Sequence, residues 1–307
     1  MKKVSVVTVN FNQPAVTEEL LQSISSFNHY PDTEIIVVDN GSKDNPVNNW
    51  ITKYPDVRFI RSEVNLGFAG GNNLGIKQAK GEYLFLINND TEITEGLIDQ
   101  LAAILDQQPE VGMISPKIIF FQQPNILQYV GFTPMNFYTA RNNCLGYMEE
   151  DRGQYDSMTG ETGFIHGAAM MVKKEAIERA GLMSESFFLY YEEMDWCERI
   201  RQAGYKIWVE PRATIYHKES ISVGKKSALK EFFMNRNRIL FIRRNAPLAA
   251  RLTFYLHFSF LVAPRNVLKY IKDGRMDLAK QLFKAMWWNI THKKDSNDLG
   301  YPIQKLS

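Results

Sequence analysis

The residues best suited to chemistry lie where apolar runs stop. YLFLINNDTEI (Tyr83 to Ile93) is an apolar run that ends on Asn88, Asn89 and Asp90. Such residues are common at turns, because their side chains bond nearby backbone. They also suit the crevice beyond the carboxyl ends of strands in an open α/β sheet, where a carboxylate can hold a metal. LYYEEMDWCERIRQAGY sets Glu192, Glu193 and Asp195 at the start of an amphipathic helix. Acids in a first turn ordinarily answer the helix dipole, and Asp195 is spaced to pair with Arg199. A carboxylate held there is also a general base in waiting. His217, at the end of IYHKES, could join Asp90 in a mixed oxygen and nitrogen site for a divalent cation. TVNFNQ and VVDNGSKDN end two further runs, bringing Asn10, Phe11, Asp39, Asn40 and Ser42 to one edge: a ring to stack on a base and a carboxylate to accept its N–H. NLGFAGGNNLG (Asn65 to Gly75) supplies glycines for close backbone approach and a helix start that favours anions, or simply a glycine-rich connection.

The elements that must carry these residues read as a doubly wound α/β domain. Short, continuously apolar strands alternate with helices as far as LFLINND, the pattern of a mostly parallel sheet covered on both faces. Further on come a strand in FIHGAAMMV, a helix KKEAIERAG, a helix from Glu192 and an extended KIWVEPRATIYH. No Gly-x-Gly-x-x-Gly or Walker pattern occurs, which argues against dinucleotide enzymes and P-loop NTPases. At 307 residues with 45% hydrophobic content the chain can bury a large core. Cys144 and Cys197 are its only cysteines and have no metal-ligand spacing, consistent with a reducing compartment. The N-terminal run breaks at Asn10 and Asn12 and reads as a first strand rather than a signal peptide.

Charge divides the chain. Residues 1–220 hold 19 Lys and Arg against 29 Asp and Glu, whereas residues 221–307 hold 17 against 5. Two regions follow: 1–220 as the acidic α/β domain and 221–307 as a basic, aromatic-rich helical extension. In that extension Leu278, Leu282, Phe283, Met286 and Ile290 share a helical face, with Lys280, Gln281 and Lys284 opposite and Trp287 and Trp288 beside Lys293 and Lys294. This fits a helix lying on an anionic membrane surface, or one packing on the acidic domain. The run from Leu252 to Ala263 is shorter than the ~20 residues that span a bilayer. Nucleic acid is disfavoured as a partner, since the basic residues are interleaved with apolar ones.

Taken in order, the strand-NFN, VVDNGS, NLGFAGGNN, LFLINND, FFLYYEEMDWCERIRQAGY and YH segments resemble glycosyltransferase family 2 of the GT-A fold, and its rhamnosyltransferase-like bacterial members in particular. The resemblance runs from Val4 to His217. It implies an inverting transfer of a sugar from a nucleoside-diphosphate donor, UDP or dTDP, to a hydroxyl of a glycan or lipid-linked acceptor in surface-polysaccharide synthesis. Thr8, Asn10 and Phe11 match the segment that contacts the nucleoside, and Asp39 the acid that binds the pyrimidine. Asn65, Gly67, Asn72, Asn73 and Asn89 fall in segments lining nucleotide and diphosphate. Asn88 to Asp90 occupies the Asp-x-Asp position for Mn²⁺ or Mg²⁺, and His217 matches a second ligand. Glu193 matches the base, with Glu192 its companion and Asp195 the next acid. His166 and Gly167 match the region between donor and acceptor. Two departures are visible: Asn88 removes one negative charge, and Glu193 is one methylene longer than the commoner Asp. The implied location is cytoplasmic, peripheral on the inner face of the membrane. A sugar-phosphate nucleotidyltransferase is the competing reaction class, but would carry a Gly-rich basic loop where NFNQ stands. A catalytically inactive sugar-nucleotide-binding module is the third reading.

Overall fold

The computed structural model describes residues 1–218 and 227–302. The expected boundary between residues 220 and 221 lies outside them. β1 (Val4–Asn10), α1 (Pro14–Phe27), β2 (Thr33–Asn40), α2 (Val47–Lys53), β3 (Val57–Ser62), α3 (Gly67–Gln78) and β4 (Tyr83–Ile87) follow the predicted alternation. Then come β5 (Thr91–Ile93), α4 (Leu97–Gln107), β6 (Val111–Phe120), β7 (Leu127–Tyr129), β8 (Gly160–Glu161), β9 (Ala169–Lys173), α5 (Lys174–Ala180), α6 (Glu192–Gln202) and β10 (Lys206–His217). Four helices follow: α7 (Ala228–Asn245), α8 (Leu248–His257), α9 (Ala263–Lys272) and α10 (Met276–Thr291), with a π-helical turn at Phe258–Val262.

The described strands form one sheet in the order β3-β2-β1-β4-β9-β6-β10-β5, with β7 on β6 and β8 on β10. β3, β2, β1 and β4 are parallel, so their carboxyl ends share one edge; Asn10 pairs with Asp39, and Asp39 with Arg61. Both faces are covered. Val7, Leu84 and Leu86 pack with Ala69 and Ile76 of α3, and Val4, Val6 and Phe85 with Leu20 and Ile24 of α1. Each such buried aliphatic side chain is worth about 1.5–3 kcal/mol. β9 runs antiparallel to both neighbours. The reason is connectivity: no helix lies between β6 and β9, so the chain re-enters the sheet from the edge at which β6 left it.

The basic extension joins the catalytic core. Phe241 of α7 meets Phe164, Phe137 and Tyr191, with ring centroids 6.2, 6.0 and 5.8 Å apart. Arg236 is fully buried and lies 4.1 Å over the Trp288 ring. The face predicted for α10 is divided by this packing. Leu278, Leu282 and Trp288 are buried, while Phe283, Trp287 and Ile290 are exposed. The π turn answers Pro264, whose ring cannot fit against the carbonyl four residues before it; the Ala263 N–H bonds Phe258 O, five residues back.

Candidate active site

At the shared strand edge a cleft of about 370 Å³ is lined by Phe11, Asn65, Gly67, Asn72, Asn88, Asn89 and Asp90, closed by Phe188 and Leu189. Seven residues singled out in the sequence thus meet in one place. Asn10 and Asp39 form its buried frame. The Asn10 amide donates to Asp39 Oδ1 (2.8 Å) and Ser42 Oγ (3.0 Å), and its oxygen accepts from Thr17 Oγ1 (2.9 Å). Arg61 forms an ion pair with Asp39 Oδ2 and donates to the Ser42 carbonyl at 2.9 Å. Arg61 has no motif to mark it; only its register opposite Asp39 brings the pair together.

Gly67 is required by sterics as well as by the turn. Its φ is +72°, and a Cβ there would sit 2.3 Å from Phe188 O. The expectation that α3 offers its N-terminus to an anion is corrected. The Leu66, Gly67 and Phe68 N–H groups are taken by Asn40 Oδ1 (3.0 Å), Asn65 Oδ1 (2.8 Å) and Phe188 O (3.0 Å).

Three predicted residues face the protein rather than the cleft. Thr8 is wholly buried within β1, its hydroxyl without a partner among the described residues. Asn73 holds the chain before α6: its amide donates to Met183 O and Glu185 Oε1 (both 2.9 Å) and accepts from Met183 N (3.1 Å). Asp195 is fully buried between Arg199 (2.9 Å) and Arg244 (3.1 Å), and also accepts from Asn245 Nδ2 (3.0 Å).

Asp90 and His217 meet as the sequence anticipates. Asp90 Oδ1 lies 3.2 Å from His217 Nε2, and His217 Nδ1 lies 2.8 Å from Gln128 Oε1. Gln128 thus braces the imidazole from behind while Nε2 faces the carboxylate. A carboxylate oxygen and an imidazole nitrogen side by side at a polar cleft suit a divalent cation that keeps waters and takes donor phosphates as its other ligands. Among the described residues no group of three or more His, Cys, Asp or Glu is assembled to hold a metal by itself. Gln128 was not foreseen, because a three-residue strand with one glutamine has no sequence signature. His166 stands beside His217, ring centroids 6.0 Å apart, and its Nδ1 accepts from Ala168 N at 3.1 Å. Burial, then the charge of His217, pushes its pKa down to about 3, so it is neutral. Gly167 lies against Phe68, a residue of the cleft wall.

Glu192 and Glu193 open α6 with no ion pair among the described residues. Glu192 is buried, its Oε2 unpartnered there, and burial followed by the Glu193 charge pushes its pKa well above the carboxylate range. Burial pushes Glu193 up to about 7. The loop leading to them is held in an unusual shape. Phe188, Tyr190 and Tyr191 all have left-handed φ, at 64°, 70° and 72°. Asn237 of α7 stabilises it, its amide donating to Phe187 O, Leu189 O and Tyr190 O at 2.8, 2.7 and 2.9 Å. Sequence reasoning missed Asn237, since its partners lie nearly fifty residues earlier.

Comparison with known proteins accords with this geometry. Residues 5–181 match the sequence profile of glycosyl transferase family 2. The low-salt glycan biosynthesis hexosyltransferase Agl10 of Haloferax volcanii is 25% identical over 288 residues, covering 92% of this chain and 89% of that protein. The N-acetylglucosaminyl-diphospho-decaprenol L-rhamnosyltransferase of Mycobacterium tuberculosis is 24% identical over 243 residues, 73% of this chain and 78% of that one. The fold is shared with S. aureus TarS solved with UDP-GlcNAc, with a TM-score of 0.62 at 17% identity over 99% of this chain and 83% of that chain. It is also shared with a mannosyltransferase of Pyrobaculum calidifontis solved with GDP-Man and Mn²⁺, with a TM-score of 0.56 at 15% identity over 94% and 87%.

Proposed function

Because the chain belongs to glycosyl transferase family 2, and is thereby a glycosyltransferase that uses nucleotide sugars in glycan synthesis, we propose that it is a metal-dependent, inverting hexosyltransferase. The observation that carries this reading is the cleft at the strand edge, with the Asp90–His217 pair on one side and the strained loop into Glu193 on the other. A sugar-phosphate nucleotidyltransferase is set aside by the family match.

In this reading Phe11 stacks on the pyrimidine of a UDP or dTDP donor, and Asp39, held by Arg61, accepts from the base. Asn65, Asn72 and Asn89 line the remaining nucleotide. Asp90 and His217, with Asn88 beside them, would hold Mn²⁺ or Mg²⁺, which supplies charge neutralisation to the donor diphosphate. Glu193 takes the proton from the acceptor hydroxyl as that oxygen attacks the anomeric carbon from the face opposite the leaving group. One displacement with no covalent intermediate inverts the centre. Glu192 stands beside it, its proton affinity raised by burial and then by the Glu193 charge. Rhamnose is the proposed sugar, supported by the naming of the mycobacterial relative, and the acceptor is a glycan or lipid-linked hydroxyl next to His166 and Gly167.

A peripheral membrane location fits the same reading. Among the described residues no helix is long and apolar enough to cross a membrane. Exposed Leu252, Leu256, Phe260 and Leu261, with Phe283, Trp287 and Ile290 of α10, would meet the interface beside Lys280 and Lys284.

Calorimetric titration with dTDP, UDP and GDP, with and without Mn²⁺, tests the proposal on wild type and Asp90→Ala. Pyrimidine-selective binding that requires the cation and is lost in the variant is the expected result. Absence of nucleotide binding under all conditions would defeat it. Binding with no turnover on any acceptor would favour an inactive sugar-nucleotide-binding module instead.

A further inference from the structure

A second cavity, also about 370 Å³, is lined by Thr139, Arg141, His257, Leu261, Val262 and Arg265. Arg238 of α7 reaches its rim, donating to the Thr139 carbonyl and lying over the rings of Phe254 and Phe258, 5.9 and 5.6 Å from their centroids. Three guanidinium groups therefore converge. Among the described residues none of the three is paired with a carboxylate, and Arg265 reaches only the Asn266 amide oxygen, at 3.4 Å. The charges act on one another. Burial lowers the pKa of Arg238, and, after an opposing contribution from Tyr191, the positive charges of Arg141 and Arg265 lower it further.

Arg141 and Arg265 keep their water, but Arg238 is largely desolvated beside them, and polar atoms nearby are left unused. Arg238 Nε and His257 Nε2 are buried with no hydrogen-bond partner among the described residues. An anion rich in oxygen acceptors would answer both the charge and the missing bonds. The surroundings say more about that anion. One wall is apolar, made by Leu261 and Val262, and it continues outward to Phe260 and Leu261, which are 72% and 62% exposed. Arg238 also ties the cluster to the proposed base: its charge acts on Tyr191, the residue that caps α6 immediately before Glu192 and Glu193. A cationic floor between an apolar ridge and an acceptor-activating carboxylate matches a molecule with an apolar chain, an anionic junction and a sugar, in that order.

We propose that Arg141, Arg238, Arg265 and His257 form a phosphate-binding subsite that takes the phosphate or diphosphate of a lipid-linked acceptor, the chain leaving over Leu261 and Phe260. This deepens the glycosyltransferase reading and rests on it. The subsite fixes the acceptor by its anionic junction and leaves the hydroxyl end to Glu193.

The probe is farnesyl diphosphate, titrated calorimetrically into the full chain already saturated with UDP and Mn²⁺, so that the donor cleft is filled. The double variant Arg141→Ala/Arg265→Ala is run beside wild type; both side chains are exposed and lie outside the donor cleft, so the fold should be retained. Wild type is expected to bind farnesyl diphosphate and not farnesol, and the variant to bind it about tenfold or more weakly, as for loss of charged hydrogen bonds, with UDP affinity unchanged. Equal binding by the two proteins, or none by wild type while UDP still binds, overturns the subsite. Failure of UDP to bind either protein would count against the parent reading, and the farnesyl diphosphate comparison would still be read on its own. Sedimentation with phosphatidylcholine vesicles, with and without phosphatidylglycerol, separates the two sources of phosphate. If the variant loses only vesicle binding and keeps farnesyl diphosphate, the cluster contacts phospholipid headgroups and the acceptor assignment falls.

Discussion

At the end of β2 a buried carboxylate has a guanidinium beside it; at the start of α6 a buried and a half-buried carboxylate have none among the described residues. Asp39 is wholly inaccessible, yet Arg61, Asn10 and their hydrogen bonds compensate its lost hydration. Glu192 is buried and Glu193 half-buried, neither receives a cation among the described residues, and their proton affinity rises instead. The two regions use one residue class for opposite ends. A carboxylate gripped by a guanidinium is fixed in place for recognition; Glu193, unpaired among the described residues, has its pKa raised to about 7 and can exchange a proton. α6 repeats the contrast within one turn, because Asp195, two residues beyond Glu193, is bound by two arginines.

The comparison can be broken most severely at Asp195. Replacing it by Ala leaves Arg199 and Arg244 facing a buried gap, and should cost about 3–5 kcal/mol of stability, as for other broken buried pairs. Chemical denaturation measures this, and an unchanged midpoint would show that the two arginines find other partners. Next is Glu193→Gln, which keeps shape and removes the base. Transfer should fall about a hundredfold or more while UDP binding persists; near-normal turnover would move the base to Glu192.

The pH dependence sharpens the same contrast. Glu193 must be ionised to accept a proton, and its pKa is raised to about 7. The rate should therefore climb as pH rises through about 7 and level above it, and the Gln variant should lose that inflection. The sign for stability is the reverse. A carboxyl whose folded pKa lies above its unfolded value favours the fold while protonated, and that contribution fades as pH rises through about 7. The smallest expected effect belongs to Asn88→Asp. It places another carboxylate in the cleft without an arginine, and should tighten Mn²⁺-dependent nucleotide binding several-fold; calorimetry on the variant would show it, and weaker binding would mean that charge is not what limits the site.

What could be read in advance follows from how local each signal is. Phe11, Asn88, Asn89 and Asp90 were visible because they follow apolar runs, and Asn65, Gly67 and Asn72 because a glycine-rich segment follows the next one; parallel strands gather their ends on one edge whatever the rest of the chain does. Asp90 and His217 needed only the strands that carry them. Arg61 and Gln128 look in sequence like ordinary polar residues of short strands, and become partners only through register and sheet order. The misplacement of Asn73 has the same origin, since spacing along a helix does not say which neighbour its face will meet. Packing on the acidic domain is one of the two outcomes the basic extension's sequence allows, but charge balance does not single out the arginine that carries it: Arg236 is buried and bonded to main-chain carbonyls of the loop before α6, with the Trp288 and Phe233 rings against its guanidinium.

The grip of Asn237 on three carbonyls has a consequence for exchanging parts between relatives. The family profile ends at residue 181, before the acids of α6 and well before α7. Phe188, Tyr190 and Tyr191 hold conformations that cost about 1 kcal/mol or more apiece, and a graft that brought in foreign C-terminal helices would leave that loop free to relax. Specificity taken from a donor relative would arrive without its catalytic geometry. The segment from Ser186 to Glu193 and the helix bearing Asn237 would have to travel together, as lock and key rather than as separable modules.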